Sequence, residues 1–341
     1  METFYFDYIS KFEDVILTVF VVVLSFFLLK VFSRMRLGRS GSLPGPIGLP
    51  FLGNLFQIGF MPHSSFETLR QKYGNVFQVQ LGSQVMVIIS GHQAIKEALF
   101  DQKNVFDGRP EMFTSQYLSS GQSLSFETNV NQWKVHRYLT DRALRQLTSS
   151  GKIFDKVVCR EAKIFVKTML KLNGAPIDPA MDLMWAVAHI KYTICFGDSR
   201  KVSQHEFEKI IQGILEVIRS STFLNFFPWF RRLCPWKTRR FKRVCSDICA
   251  LVRGKEQEHV DTHTPDITRD ALDALITQRS NSAIEIDAHR LLHTSQDFMA
   301  AGLDITYIAL TWCVLYLAEF GAEQAKIAAE IGEKLGCRVF R

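Results

Sequence analysis

Residues Met299–Thr306 read MAAGLDIT. Apolar residues flank the stretch at helical spacing, which predicts a buried helix starting near Asp287 and continuing past Leu317. Ala300, Ala301 and Gly302 give up side-chain volume on one side of it, and Gly302 invites a local distortion. A large flat ligand could lie in the gap, with Asp304 and Thr306 beside it as proton relays. Close helix–helix packing would use the same small residues.

A second constellation lies upstream. In NQWKVHRYLTDRALRQL (Asn131–Leu147), Trp133 and Arg137 are one helical turn apart and share a face. An indole N–H beside a guanidinium is a good donor pair for a buried carboxylate. A structural Trp beside a surface Arg is the commoner meaning of that spacing. Lys134, Arg142 and Arg145 add positive charge to the same segment.

The elements between these landmarks are mainly helical. SSFETLRQKYG (Ser64–Gly74) is a short helix stopped by glycine, NVFQVQLGSQVMVIIS (Asn75–Ser90) alternates as a hairpin, and GHQAIKEALF (Gly91–Phe100) returns to helical spacing. FDGRP (Phe106–Pro110) opens a loop expected to reach about Gly121. From about Asn131 nearly everything has helical period. The expected class is mainly α with a small β element.

The chain has 341 residues, 47% hydrophobic and 12% aromatic, which excludes disorder and suits a large core. The net charge of +7 is concentrated in Arg231, Arg232, Lys237, Arg239, Arg240, Lys242 and Arg243. These lie within FLNFFPWFRRLCPWKTRRFKRVC (Phe223–Cys245), where rings and cations interleave. A peripheral membrane contact is the preferred reading, ahead of an aromatic core with a solvated face; nucleic acid is not expected as a partner. The seven cysteines show no framework spacing and are expected to be reduced. Cys245 and Cys249, His259 and His263, and His289 and His293 are each one turn apart. Each pair could hold a metal, though a packed or solvated helix face explains such spacing more simply.

VILTVFVVVLSFFLL (Val15–Leu29) carries no charge, acidic residues precede it, and Arg34, Arg36 and Arg39 follow. This is expected to be a signal anchor over residues 1–36, with the rest of the chain in the cytosol. The only segment of that kind lies before Arg36, so a multi-span transporter is not expected. Residues 37–55 form a proline-rich hinge, expected to be a stiff linker, and 56–341 the globular part.

Four of these stretches, in order, carry a resemblance. LPGPIGLPFLGNL resembles the proline-rich hinge of microsomal cytochromes P-450, FDGRP the turn before their substrate-facing loop, WKVHR the W-x-x-x-R of helix C, and AGLDIT the (A/G)-G-x-(D/E)-T-(T/S) of helix I. The likeness is greatest to the family 2-like branch and runs to about Gly332. It implies the cytochrome P-450 fold and a heme-thiolate monooxygenase hydroxylating fatty acids, steroids or xenobiotics. The implied cofactor is heme b, iron protoporphyrin IX, with NADPH supplying electrons through NADPH–cytochrome P-450 reductase and with cytochrome b5 as a further partner. The implied place is the endoplasmic reticulum membrane. By the same resemblance Trp133 and Arg137 hold a heme propionate, and Ala301 and Gly302 face the heme. Asp304 and Thr306 deliver protons, while Phe113, Ala301 and Ile305 line the substrate pocket. The basic face with Lys134, Arg142 and Arg145 docks the reductase.

Two departures qualify the resemblance. Ile305 stands at the family's usual threonine and Thr306 one position later, a rotation of about 100° on a helix. The E-x-x-R and F-x-x-G-x-R-x-C-x-G motifs are not in the chain. Cys337 does not replace the iron ligand, because Glu333, Leu335 and Val339 stand where that motif has Gly, Arg and Gly. An incomplete catalytic domain without an iron ligand is therefore expected, and the alternative role is an inactive membrane-bound product competing for the reductase. Reduced under carbon monoxide, this chain should give no thiolate-type Soret band; such a band in its absorption spectrum would contradict that expectation.

Overall fold

A computed structural model describes residues 17–29, 43–149, 152–264, 267–281 and 288–335. Cys337 and the arginines after the apolar N-terminal run lie outside the described residues. The chain forms α1 (Leu17–Leu29), α2 (Leu55–Ile58), α3 (Pro62–Tyr73), β1 (Val76–Leu81), β2 (Gln84–Ile89) and α4 (His92–Lys96). Then follow α5 (Phe113–Ser119), α6 (Val130–Ser149), α7 (Lys152–Leu170), α8 (Ala180–Phe196), α9 (Gln204–Phe226) and α10 (Pro228–Leu233). The last five are α11 (Pro235–Asp261), α12 (Ala271–Asn281), α13 (Ala288–Ala300), α14 (Leu303–Glu319) and α15 (Gly321–Leu335). Residues 1–108 with 221–238 make one unit, and 109–220 with 239–341 the other.

In the first unit, β1 and β2 pair antiparallel from Val76↔Ile89 to Leu81↔Gln84. Phe77 and Val79 alternate onto the buried face and pack with Ile58, Phe66, Leu69 and Tyr73. The proline-rich segment expected to be a linker lies against β1 instead. Gln78 N–H donates to the Pro44 carbonyl at 2.8 Å, and the buried Asn54 accepts from Gln80 N–H at 2.7 Å. The glycines make this approach possible: a Cβ on Gly45 would lie 2.0 Å from the Gln78 oxygen, and one on Gly53 2.2 Å from that of Gln80.

The aromatic stretch beside the basic run is partly a packed cluster. Phe223, Phe227, Trp229 and Phe230 meet with ring centroids 5.7 to 6.3 Å apart, and Lys237 sits 5.4 Å over Phe230. Leu233 and Trp236 stay exposed beside it. Helix α1 is apolar and exposed. Among the described residues, the stretch that passes a length and hydropathy test is His289–Glu319, in the second unit.

The second unit is built around α8, whose sequence AMDLMWAVAHIKYTICF is apolar on nearly every side. Its buried Met184, Val187, Ala188, Tyr192 and Cys195 pack with residues of α6, α9, α12 and α13. Tyr192 meets Phe196 and Phe207 edge-on at 5.5 and 5.6 Å. Two expectations are corrected here. The segment after FDGRP is not all loop, because α5 places Phe113 at its start. The long helix is not continuous: Gly302 adopts φ 77°, a left-handed conformation that ends α13 and starts α14. Burial also raises the pKa of the Cys195 and Cys245 thiols to about 12, so both stay protonated.

The Tyr192 hydroxyl is buried and has no hydrogen-bond partner among the described residues. A desolvated hydroxyl without a partner costs stability, so Tyr192→Phe should be neutral or raise stability by about 1 kcal/mol. Urea unfolding monitored by circular dichroism would check this; a loss of 2 kcal/mol or more (roughly the cost of breaking a buried hydrogen bond) would show that the hydroxyl has a partner.

Candidate active site

The turn at Ala301–Gly302 is set by its own backbone. Ala301 N–H still donates to Asp297 at 2.7 Å, and Thr306 N–H already donates to Gly302 at 3.2 Å. Gly302 therefore serves as the last step of one helix and the cap of the next. A Cβ there would lie 3.5 Å from the Thr306 hydroxyl, which places that hydroxyl over the glycine. Asp304 is half-buried in the first turn of α14, where its carboxylate opposes the positive end of the helix dipole, and its Oδ1 accepts from Ile305 N–H at 2.9 Å. Asp304 and Thr306 are two residues apart within α14, about 200° round the helix, so the unwinding that precedes them does not bring them to one face.

Ala301, Ile305 and Thr306 are exposed, with Ile305 at 70%. Beyond them α14 keeps presenting apolar surface, with Trp312, Leu315 and Tyr316 each more than half exposed. So the gap read from the sequence opens onto a wide apolar face rather than being filled by a neighbouring helix.

The loop before α6 is tied to α13 by Asp297. This carboxylate accepts from Ser125 N–H at 2.9 Å and lies beside the Ser125 hydroxyl and the Leu124 N–H. Burial raises its pKa, and those donors offset only part of the effect. Sequence reading passed over Asp297, although a carboxylate in an apolar helix just before the small residues was the available signal. Arg290 of α13 pairs with the buried Glu127 and also reaches Gln132.

Trp133 and Arg137 share a face of α6 but differ in availability. The Trp133 indole N–H donates to the Leu124 carbonyl at 3.1 Å, and the Arg109 guanidinium lies 5.6 Å over its ring. Arg137 is exposed and makes no hydrogen bond or ion pair among the described residues. Arg109, the arginine of FDGRP, was not singled out by sequence reasoning; its Nε also donates to Ser125 O at 3.3 Å. Between Trp133 and Arg137, the buried His136 donates from Nε2 to the Thr294 hydroxyl, whose own hydrogen goes to Arg290 O. This bond holds α6 against α13 two helical turns before Ala301.

Phe113 packs with Tyr117 and with Phe241 of α11, at 6.5 and 6.2 Å between ring centroids. A separate groove of about 700 Å³ lies between α8, α9 and α11, and Tyr307, next to Thr306, is at its edge. Of the reductase-facing cations expected from the sequence, Arg145 pairs with Asp141 at 2.9 Å and Arg142 lies 5.9 Å over Tyr138. Lys134 is exposed.

The residues present suit a flat, acidic-edged cofactor in part. The open apolar face over Gly302 can receive a macrocycle, and the unengaged Arg137 can pair with a carboxylate. The Trp133 N–H is already committed to Leu124.

Comparison with known proteins bears on the same arrangement. A family model described as Cytochrome P450 matches residues 43–339. A steroid 17-alpha-hydroxylase/17,20 lyase from Ictalurus punctatus is 29% identical over 331 residues, covering 93% of this chain and 64% of the relative. A cytochrome P450 1A1 from Opsanus tau is 29% identical over 314 residues, covering 86% of this chain and 60% of the relative. A solved zebra fish cytochrome P450, in a structure with progesterone, matches with TM-score 0.71 at 25% identity, over 82% of this chain and 64% of that one. The chain thus spans less than two thirds of the length of these relatives.

Burial, with a smaller push from Arg290, lowers the His136 pKa from 6.5 to about 4. Between those values the unfolded chain holds a proton that the folded chain lacks, so the contribution of neutral His136 is complete above about pH 6.5 and lost as pH falls towards 4. Urea midpoints measured across that window should fall with pH. They should fall less steeply in His136→Gln; equal slopes would mean that His136 does not stay neutral.

Proposed function

The chain belongs to the cytochrome P450 family, and from that premise we propose that it forms the oxygen-side wall of a heme-dependent monooxygenase acting on lipophilic substrates. The observation that carries the proposal is the turn at Gly302. It opens an apolar face and sets a half-buried carboxylate and a hydroxyl at its edge. Arg137 would pair with a heme propionate through its unengaged guanidinium. Trp133 would support it from behind, buttressing the loop through Leu124 rather than donating outward. Bound heme would supply iron for activating dioxygen, with electrons from NADPH through a reductase.

The chain's own residues have separate tasks in this reading. Ala301 and Gly302 leave room. Ile305 projects an apolar side chain where a lipophilic substrate would lie and helps exclude water. Phe113, packed on Phe241, shapes the same pocket from α5. Asp304 holds or releases a proton at its carboxyl. Thr306, facing another way round α14, would position water through its hydroxyl rather than receive a proton from Asp304 directly.

The same proposal places the protein on the endoplasmic reticulum membrane, anchored near residues 1–36, with the globular part in the cytosol. The apolar α1 and the exposed Leu233 and Trp236 support a bilayer contact. Lys134, Arg142 and Arg145 would draw an acidic redox partner, the reductase or cytochrome b5, by long-range attraction. The steroid hydroxylase among the relatives makes steroids one substrate class to test, beside fatty acids and xenobiotics.

Hemin titration of the chain in detergent, followed by absorbance, tests the cofactor reading. Arg137→Ala should weaken hemin binding about tenfold, the worth of one charge-assisted hydrogen bond. Unchanged affinity would remove Arg137 from the site. In the catalytically competent protein, with the reductase, Asp304→Asn should slow turnover about 100-fold at unchanged hemin affinity. An undiminished rate would remove the proton role.

A further inference from the structure

A cluster in the second unit, apart from the Gly302 turn, has the form of a metal site. His259, near the end of α11, and Asp270 and Asp273, at the start of α12, are buried, and a ligand atom from each lies within 4.8 Å of the other two. His263, just past the end of α11, brings its Nδ1 to 4.0 Å from Asp273 Oδ1.

The hydrogen bonds assign the protons. The Thr277 hydroxyl donates to the Asp273 carbonyl at 2.9 Å, so it can only accept from His263 Nε2, 3.4 Å away. His263 therefore carries its proton on Nε2 and directs a bare Nδ1 lone pair inward. That nitrogen is buried and makes no hydrogen bond. It faces a carboxylate oxygen, and two lone pairs facing each other require a cation between them or a cost in energy.

His259 shows the same pattern. Its Nδ1 faces the Lys255 carbonyl at 2.7 Å and must carry a proton. Its Nε2 faces Asp270 Oδ2 at 2.8 Å, where another acceptor waits. Either a second proton or a metal ion has to lie between these atoms. The Asp270 carboxylate faces that nitrogen directly, so the pair presents negative charge to a cation placed there.

Each inward-facing donor is also held by a neighbouring group, for Asp273 at the ligand oxygen itself. Lys255 O holds His259, and Thr277 holds His263. Asp273 N–H donates to Asp270 Oδ1 at 3.0 Å, and the Arg269 fork holds both Asp273 oxygens at 2.6 and 2.8 Å. Carboxylate oxygens have a second lone pair, so Arg269 does not exclude a metal. It occupies the outer-shell place in which ligating carboxylates are commonly hydrogen-bonded. The α8 cap, Gly197, leaves room on the Asp270 side, since even a Cβ there would stand 3.5 Å from Oδ2.

We propose that His259 Nε2, Asp270 Oδ2 and Asp273 Oδ1 bind one zinc-type divalent cation that clips the end of α11 to the start of α12, with the His263 ring, which stands outside that close group, turning its Nδ1 in as the fourth ligand. Two imidazoles and two carboxylates suit a tetrahedral ion with bonds of about 2.0–2.2 Å, whose ligand atoms stand about 3.3 Å apart. The His259–Asp270 pair at 2.8 Å is closer than that and the His263–Asp273 pair at 4.0 Å wider, so the ion would part the first pair and draw His263 in. The two carboxylates balance the charge of the ion.

Cobalt(II) titration of the chelator-treated full chain in detergent is the test. One equivalent should bind, with the visible bands of a tetrahedral nitrogen–oxygen site and no sulfur charge-transfer band. His263→Ala should weaken binding about tenfold or more at unchanged circular dichroism, and Thr277→Val by a smaller factor. Replacing His289 and His293 together should change nothing. A folded wild-type chain without the tetrahedral spectrum, or a His263→Ala variant binding as tightly as wild type, overturns the site. His263 is the least buried of the four ligands, so its variant is the one expected to fold.

Discussion

Helix α8 has almost no polar side to turn outward, and the second unit is organised by the need to cover it. Its residues pack with α6, α7, α9, α12, α13 and the start of α14. A helix apolar all round is stable only inside such a shell. Where it ends at Gly197, polar chemistry resumes at once: the buried Glu161 pairs with Arg160 and Arg200, and Arg160 also reaches Asp198 at 3.1 Å. The network ties α7 to the chain leaving α8, so the same element that builds the core fixes its exit.

The turn at Gly302 follows from what surrounds it. Along α13, Leu291, Leu292, Thr294, Ser295 and Met299 are buried, held by His136 from α6 and by the loop that Asp297 gathers. Past Gly302, Leu303 is buried and Tyr307 packs on the core beside α8, while most of the later apolar residues of α14 face outward. One left-handed residue thus separates a helix buried along most of its face from one that rests on α8 along one side and presents apolar residues on the other. The candidate chemistry lies at the join, where Asp304 and Thr306 begin the second half.

Buried polar groups in this unit mostly sit between helices rather than within one. His136 bridges α6 and α13, and His259 bridges α11 and the start of α12. Burial keeps the first neutral, while a facing carboxylate favours positive charge on the second. The difference is direct contact: His259 Nε2 meets the Asp270 carboxylate itself, while His136 meets a hydroxyl and feels Glu127 and Arg290 only at a distance.

The chain's periodicity was enough to place the β1–β2 hairpin, the glycine stop after α3 and the helical body beyond Asn131, because those features depend on neighbours within a few residues. The motif order was enough for the family. Helix α5 escaped because the breakers in FDGRP and its own short length hide a helical period. The local pattern anticipated a distortion at Gly302, but not two separate helices. Spacing put Trp133 and Arg137 on one face, yet only the tertiary structure committed the Trp133 N–H to Leu124 and left Arg137 unengaged. The same holds for His263, whose bare nitrogen depends on which way the Thr277 hydroxyl points. Sequence determines which donors and acceptors share an element; which of them stay free is decided by competition among groups far apart in the chain, and that competition exists only once the helices have packed.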